Sequence, residues 1–142
     1  MAPPQAVKTA SAPAPLPQFS QAIKYNGMVY CSGGIGILPG ETFVLVEGTV
    51  KDRARQIFKN ITAVLDAAGS SLQNLVKMNI YLTDMANFTL VNEAYDEFFT
   101  WKLKPVSYFF SPRQVAYMML PGSVANVCSA AAQTLGSRVA SC

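Results

Sequence analysis

The sequence contains no histidine among its 142 residues. Histidine is the most common general base near neutral pH and the most common zinc ligand in proteins. Its absence excludes nucleophile activation by histidine and the usual histidine-containing zinc sites. Any acid–base chemistry must come from carboxylate, tyrosine, lysine, cysteine or water.

Charged residues are also scarce, at 13%, where about a quarter is usual for a soluble domain. All eight acidic residues lie between Glu41 and Glu97, so the last third of the chain has none. We expect that surface with so little charge is partly buried against other subunits. The basic cluster between Lys51 and Lys59 is predicted to be a solvated helix face, because nucleic-acid binding requires a basic stripe with interleaved aromatic residues.

Long apolar runs and cysteine frameworks are absent as well. No run approaches the roughly 20 residues of a membrane span, so we expect a soluble protein without a membrane partner. The three cysteines, Cys31, Cys128 and Cys142, have no framework spacing, which favours a reducing, cytoplasmic location. Residues 1–17 (MAPPQAVKTASAPAPLP) resemble neither a signal peptide nor a mitochondrial leader and are predicted to form a flexible arm.

Residues 29–40 read VYCSGGIGILPG, and their four glycines raise the question of phosphate binding. A dinucleotide fingerprint on Gly34 and Gly36 needs a third glycine where the chain has Pro39. A P-loop needs a lysine after the glycines, and none occurs between Lys24 and Lys51. The stretch is therefore predicted to be a strand that ends in a closely approached backbone.

Local patterns predict eight elements in the order β-β-β-α-β-α-β-β. Asn26-Gly27 marks a hairpin turn, and the Thr49/Asp52 spacing marks a helix start whose apolar stripe ends at Gly69. A second helix follows Thr83-Asp84. The predicted strands are 22–25, 28–32, 42–46, 76–82, 114–120 and 124–132, and residues 101–113 are predicted to be irregular.

This order predicts an α+β domain over residues 18–135, with two helices on one face of a mixed sheet and a loose tail at 136–142. The other sheet face would remain apolar, and a partner usually covers such a face. A closed ring of identical subunits satisfies that requirement.

Several stretches resemble the RidA (YjgF-type) imine/enamine deaminase family, from about Phe19 to Phe99 and again from Leu120 to Ala132. The matching pieces are FSQAI, NGMVYCSG, LDAAG, LVKMNIYLTDM and FTLVNEAYDEFF. The resemblance implies a chorismate-mutase-like fold and a homotrimer with clefts between subunits. It also implies hydrolysis of reactive enamines and imines to ketoacid and ammonia, without a metal and without a bound cofactor.

The sequence departs from this family at functional positions. Phe19 replaces the family's tyrosine, Gly34 replaces a glutamine after Ser32-Gly33, and Ser129 replaces a late glutamate. These changes predict a roomier and less polar cleft, which suits an uncharged, apolar ligand.

The family's arginine, which clamps a substrate carboxylate, has two alternative counterparts here. Alignment from Lys104-Pro105 places Ser107 at that position, and alignment backward from Leu120-Pro121 places Arg113 one residue out of step. Asn92 in the second helix is retained.

Three functions remain open at this stage. The first is a repurposed enzyme of a biosynthetic pathway that dehydrates, isomerises or cyclises a neutral metabolite. The second is an imine/enamine deaminase in which Arg113 binds the carboxylate, and the third is a non-catalytic small-molecule-binding or chaperone-like trimer. The catalytic candidates are Arg113, Ser32, Tyr117, Cys128 and Ser129. The substrate-binding candidates are Phe19, Gly33, Gly34, Tyr81, Asn92 and Tyr108.

Overall fold

The computed structural model describes residues 2–40, 42–110 and 128–133. Within these ranges, six strands form one sheet in the order β1-β2-β3-β6-β4-β5. The β4–β5 pair is parallel and the other pairs are antiparallel, so the predicted mixed sheet is confirmed. The elements are β1 (Gln5–Val7), β2 (Ala22–Tyr25), β3 (Met28–Gly34), α1 (Val50–Ala67), β4 (Leu75–Tyr81), α2 (Phe88–Phe98), β5 (Val106–Phe110) and β6 (Cys128–Gln133).

The turn between β2 and β3 follows directly from its two residues. Asn26 and Gly27 both have positive φ, at 53° and 76°, as a type I′ hairpin turn requires. The turn pairs Tyr25 with Met28 and sets the register of both strands. The predicted hairpin is confirmed.

The start and the end of α1 are also set by local chemistry. The backbone N–H of Thr49 donates to Asp52 Oδ2 at 2.8 Å, and the Thr49 hydroxyl accepts from the Asp52 N–H at 3.4 Å. This reciprocal cap satisfies two amide groups that the first helical turn leaves free. Gly69, with φ of +75°, follows the last turn, so the predicted bounds of the helix are confirmed.

The two helices pack side by side on one face of the sheet, as predicted. Phe58 of α1 lies against the rings of Tyr95, Phe98 and Phe99, with centroids 5.4–6.0 Å apart. The Tyr95 hydroxyl in turn lies 3.3 Å from the Ser107 hydroxyl of β5. The core formed by α1, α2, β3 and β4 thus lies between the helices and the sheet.

Ion pairs join the exposed edges of the helices. Arg55 binds both carboxylate oxygens of Glu97 at 2.7 Å, and Lys51 Nζ lies 2.7 Å from Glu93 Oε2. The predicted solvated face of α1 is confirmed only in part, because Lys59 is exposed whereas Lys51 and Arg55 are half-buried and paired with α2. Fixed charge partners lower the pKa of Glu97 to about 2, mainly through the Arg55 hydrogen bonds.

Three predicted segments are wrong. Residues 1–17 are not a free arm, because Gln5–Val7 pairs with β2 and Ala12 is buried. Residues 42–46 form no strand and make only an isolated bridge, Ile37 to Leu45. Conversely, Val106–Phe110, expected to be irregular, forms β5 beside β4. The predicted strand 114–120 and tail 136–142 lie outside the described residues.

The sheet face opposite the helices carries exposed apolar side chains. Val29 is buried beneath α1, so its neighbour Tyr30 points to the opposite face and is exposed. Because Ser107 contacts α2, Val106 and Tyr108 likewise lie on the open face and are exposed. Within the described ranges, no helix is long and apolar enough to cross a membrane.

Candidate functional site

A cavity of about 250 Å³ opens between α1, the end of β3 and the N-terminal segment. Its inner wall is formed by buried residues of α1, including Ile57, Ile61 and Val64. The exposed rings of Phe19 and Phe43 also line it, so they lie at the open side. The remaining lining residues are Ala12, Pro13, Pro15, Leu16, Gln21, Cys31, Ser32, Gly33, Gly34, Ile35, Ile37 and Asn60.

Four of the predicted site residues meet in this cavity: Phe19, Ser32, Gly33 and Gly34. The glycine stretch is the end of β3, and its backbone forms part of the wall. A Cβ atom built on Gly34 would meet nothing within 4 Å, so the space beside it is open.

The amide side chains in the lining are engaged within the protein. Gln21 Nε2 donates to the carbonyl oxygens of Thr9 at 3.0 Å and Pro13 at 2.8 Å, while its Oε1 accepts from the Thr9 N–H at 2.7 Å. Asn60 Nδ2 donates to the Ile37 carbonyl at 2.7 Å, and its Oδ1 accepts from Gln56 at 2.9 Å. These bonds hold both segments that flank the cavity.

The two remaining polar side chains of the wall are neutral. The Ser32 hydroxyl donates to the Ser20 carbonyl at 2.5 Å. Burial raises the pKa of the Cys31 thiol to about 12, so the thiol stays protonated at neutral pH. No described lining residue is charged, so the cavity offers a ligand mainly apolar contacts.

Other candidates lie in neighbouring strands at the same end of the sheet. Cys128 of β6 pairs with Gly34 on one side and with Ile80 on the other. The β3–β6 register shifts between Cys31 and Gly34, so Ser129 lies across from the irregular stretch at Ser32-Gly33. Tyr81 ends β4 next to Ile80. The backbone thus places these candidates beside the strand end that lines the cavity.

Two substrate-binding candidates lie elsewhere. Tyr108 is on the open sheet face, paired with Asn79 of β4, and Asn92 is a half-buried residue of α2. Neither lines the cavity. Ser107 points toward Tyr95 and away from the cavity, whereas Arg113 and Tyr117 lie outside the described residues. In the described part of the chain, no group of three or more metal-ligating side chains occurs.

Sequence reasoning missed the two amides that shape the cavity, Gln21 and Asn60. The signal for Asn60 was available, because Gln56 and Asn60 are spaced i, i+4 beside the buried Ile57 and Ile61 of the apolar stripe. Two polar residues at buried helix positions indicate an internal hydrogen bond. Gln21 had no such local signal, since its partners lie 8 and 12 residues earlier in the chain.

Comparisons with known proteins agree with this fold. A family model described as endoribonuclease L-PSP matches residues 9–120. A RutC family protein of Aquifex aeolicus is 47% identical over 93 residues, which cover 66% of this chain and 73% of that protein. The chloroplastic Reactive Intermediate Deaminase A of Arabidopsis thaliana is 42% identical over 95 residues, covering 67% of this chain and 50% of that protein.

A solved structure is similar over nearly the whole chain. The Rid family protein YyfA from Yersinia pestis superposes with a TM-score of 0.82 at 32% identity, and the match covers 93% of this chain and 100% of that one.

Proposed function

The chain belongs to the endoribonuclease L-PSP/RidA family, and we propose that its cavity binds and converts an uncharged, largely apolar small molecule. One observation carries this proposal. The side-chain amides of the wall, Gln21 and Asn60, are hydrogen-bonded to the protein itself, and no described lining residue is charged. A charged group inside such a cavity would lose its hydration without gaining a partner.

The reaction class that fits this cavity is a dehydration, isomerisation or cyclisation within a biosynthetic pathway. Phe19, Gly33 and Gly34 would hold the substrate. Ser32, Cys128, Ser129, Arg113 and Tyr117 are the proposed polar groups near the reacting atoms. Fixing the substrate against one of these groups would contribute to catalysis, because well-oriented reacting groups can lower a barrier by roughly 7–11 kcal/mol. No cofactor is required for these reaction classes in this proposal.

The second candidate function is imine/enamine deamination, which releases ammonia and a ketoacid. It is favoured by the Arabidopsis relative, whose name is Reactive Intermediate Deaminase A. In this mechanism, Arg113 would bind the substrate carboxylate as a bidentate partner. A non-catalytic, ligand-binding trimer is the third candidate.

We also propose a cytoplasmic homotrimer with its clefts between subunits. Supporting this, Tyr30, Val106 and Tyr108 are exposed on the sheet face that the helices leave open. Burial of such apolar surface favours association. Light scattering on the purified protein measures the mass, and a monomer at micromolar concentration would contradict the trimer.

One assay separates the two enzyme functions. 2-Iminobutyrate is generated in situ, and semicarbazide competition reports its lifetime with the wild type and with Arg113→Ala, using Arg53→Ala as the matched arginine control. Faster hydrolysis that only Arg113→Ala abolishes identifies a deaminase and overturns the first proposal. No acceleration, together with conversion of a member of an uncharged metabolite panel, supports it. Binding without conversion identifies the non-catalytic trimer.

A further inference from the structure

The inner part of the cavity differs chemically from its backbone-lined edge. Ile57, Ile61 and Val64 form three successive contacts along one side of α1, and all are buried. The edge at Ser32–Gly34 offers peptide groups instead. A ligand in this cavity therefore meets an apolar chamber at one end and polar backbone at the other.

The size of the cavity limits what the chamber can hold. A volume of about 250 Å³ exceeds the roughly 150 Å³ that suffices for benzene in an apolar protein cavity. It is smaller than the roughly 300–1,000 Å³ of most drug-sized sites. The cavity is therefore large enough for a six-membered ring with a short substituent.

The open side of the cavity favours a flat ring over a branched aliphatic group. Phe19 and Phe43 both line the cavity, and 47% and 69% of their surfaces are exposed. Both rings are therefore accessible to a ligand that enters from the open side. Aromatic pairs gain roughly 0.5–1.5 kcal/mol beyond their burial, and an aliphatic ligand cannot gain this.

We propose that the cavity is specific for an uncharged ligand that carries an aromatic ring, with Phe19 and Phe43 contacting the ring at the open side. This inference rests on the proposed function and narrows its substrate class. The polar substituent of the ligand would lie at the Ser32–Gly34 backbone, because the amides of Gln21 and Asn60 in the described wall are hydrogen-bonded to the protein itself.

Three probes of nearly equal size test the proposal by titration calorimetry. Benzyl alcohol has an uncharged aromatic ring, cyclohexylmethanol an uncharged saturated ring, and benzoate a charged aromatic molecule. We expect benzyl alcohol to bind at least tenfold more tightly than benzoate and about two- to tenfold more tightly than cyclohexylmethanol. Equal or tighter binding of benzoate would overturn the proposal.

Two variants locate the binding site. Phe19→Ala should weaken benzyl alcohol binding about two- to tenfold, whereas Phe88→Ala, which removes a partly exposed ring that packs on Phe109 away from the cavity, should leave it unchanged. Val64→Phe should fill the chamber and abolish binding. If Val64→Phe does not fold, the comparison of Phe19→Ala with Phe88→Ala still locates the site. Equal effects of these two variants on benzyl alcohol binding would contradict a binding site at Phe19.

The outcomes also separate this inference from the function it rests on. Tight binding of cyclohexylmethanol with weaker binding of benzyl alcohol refutes aromatic specificity and leaves the proposed uncharged substrate in place. If neither uncharged probe binds, both proposals fail.

Discussion

The carboxamide of Gln21 forms reciprocal hydrogen bonds with the backbone of Thr9, accepting from its N–H at 2.7 Å and donating to its carbonyl at 3.0 Å. A third bond, to the Pro13 carbonyl, extends this attachment along the N-terminal segment. The same segment bonds to the loop after β3 through the Ala14 N–H and the Gly40 carbonyl. One buried side chain thus fixes a wall of the cavity.

Replacement of Gln21 by alanine should loosen that wall. Three backbone groups lose their partner, and we expect the free energy of unfolding to fall by about 1–3 kcal/mol. Gln73→Ala, in an exposed turn before β4, is the matched control and should change stability by less than about 0.5 kcal/mol. Urea unfolding of both variants measures the change in the free energy of unfolding. A loss for Gln21→Ala no greater than the loss for Gln73→Ala would show that the Gln21 bonds do not stabilise the fold.

Replacement by alanine should change stability to different extents at two glycines near the end of β3. A Cβ on Gly36 would lie 2.9 Å from the Arg53 Cα, so helix α1 or the loop must shift, and we expect a loss of about 1–3 kcal/mol. A Cβ on Gly34 meets open space, so Gly34→Ala should leave stability nearly unchanged while reducing the cavity. Thermal unfolding compares the two, and a greater loss for Gly34→Ala would contradict this packing.

The ion pair between Arg55 and Glu97 predicts a pH-dependent stability. The pKa of Glu97 is lowered from 4.5 to about 2 in the folded protein, so the pair stabilises the fold well above pH 4.5, and this contribution is lost as the pH falls toward 2. Glu97→Gln should therefore be less stable than the wild type near neutral pH, and the difference should shrink in acid.

Salt provides an independent check of the same pair, because both side chains are exposed and their attraction is screened. The difference between the wild type and Glu97→Gln should decrease in about 1 M NaCl. Glu47→Gln, in the exposed loop before α1, is the control for loss of a negative charge. A difference that stays constant across pH and salt would contradict the prediction.

Cys31 should react slowly with alkylating reagents in the folded protein. Burial raises the pKa of its thiol from 9.0 to about 12, which lowers the thiolate fraction near pH 8 by about a thousandfold. Mass spectrometry of peptides after iodoacetamide treatment measures the rate at this residue alone. The rate should rise to that of an ordinary thiol in urea, and rapid labelling of the folded protein would refute the raised pKa of Cys31.

Local chemistry was enough to predict several elements. The Asn26-Gly27 turn and the Thr49/Asp52 cap depend on residues at most three positions apart, and both were correct. The strand predicted for residues 42–46 from their composition was wrong, because residues with high β propensity form a strand only where a partner strand pairs with them. For β5 the partner exists, and pairing with β4 overrode an irregular, proline-containing context.

In β4, one irregularity in the strand pairing changes which side chains are buried. In the sequence, Val76, Met78, Ile80 and Leu82 alternate with more polar residues, a pattern that predicts one buried face. Met78, Ile80 and Leu82 are buried, but Val76 is exposed, because the β4–β6 register shifts between Leu75 and Lys77. On one side of a bulge, the side chains point to the opposite sheet face from the one that strict alternation predicts. No residue type in this strand predicts the bulge.

The sequence by itself determined the class of the fold, the caps and the hairpin, and the loss of polar groups at Phe19 and Gly34. Those features depend on residue identity and on neighbours a few positions away. The cavity was decided only by the tertiary structure. It requires Gln21 to reach Thr9 across 12 positions and Asn60 to reach Ile37 across 23, and such contacts form only when the folded chain brings distant segments together.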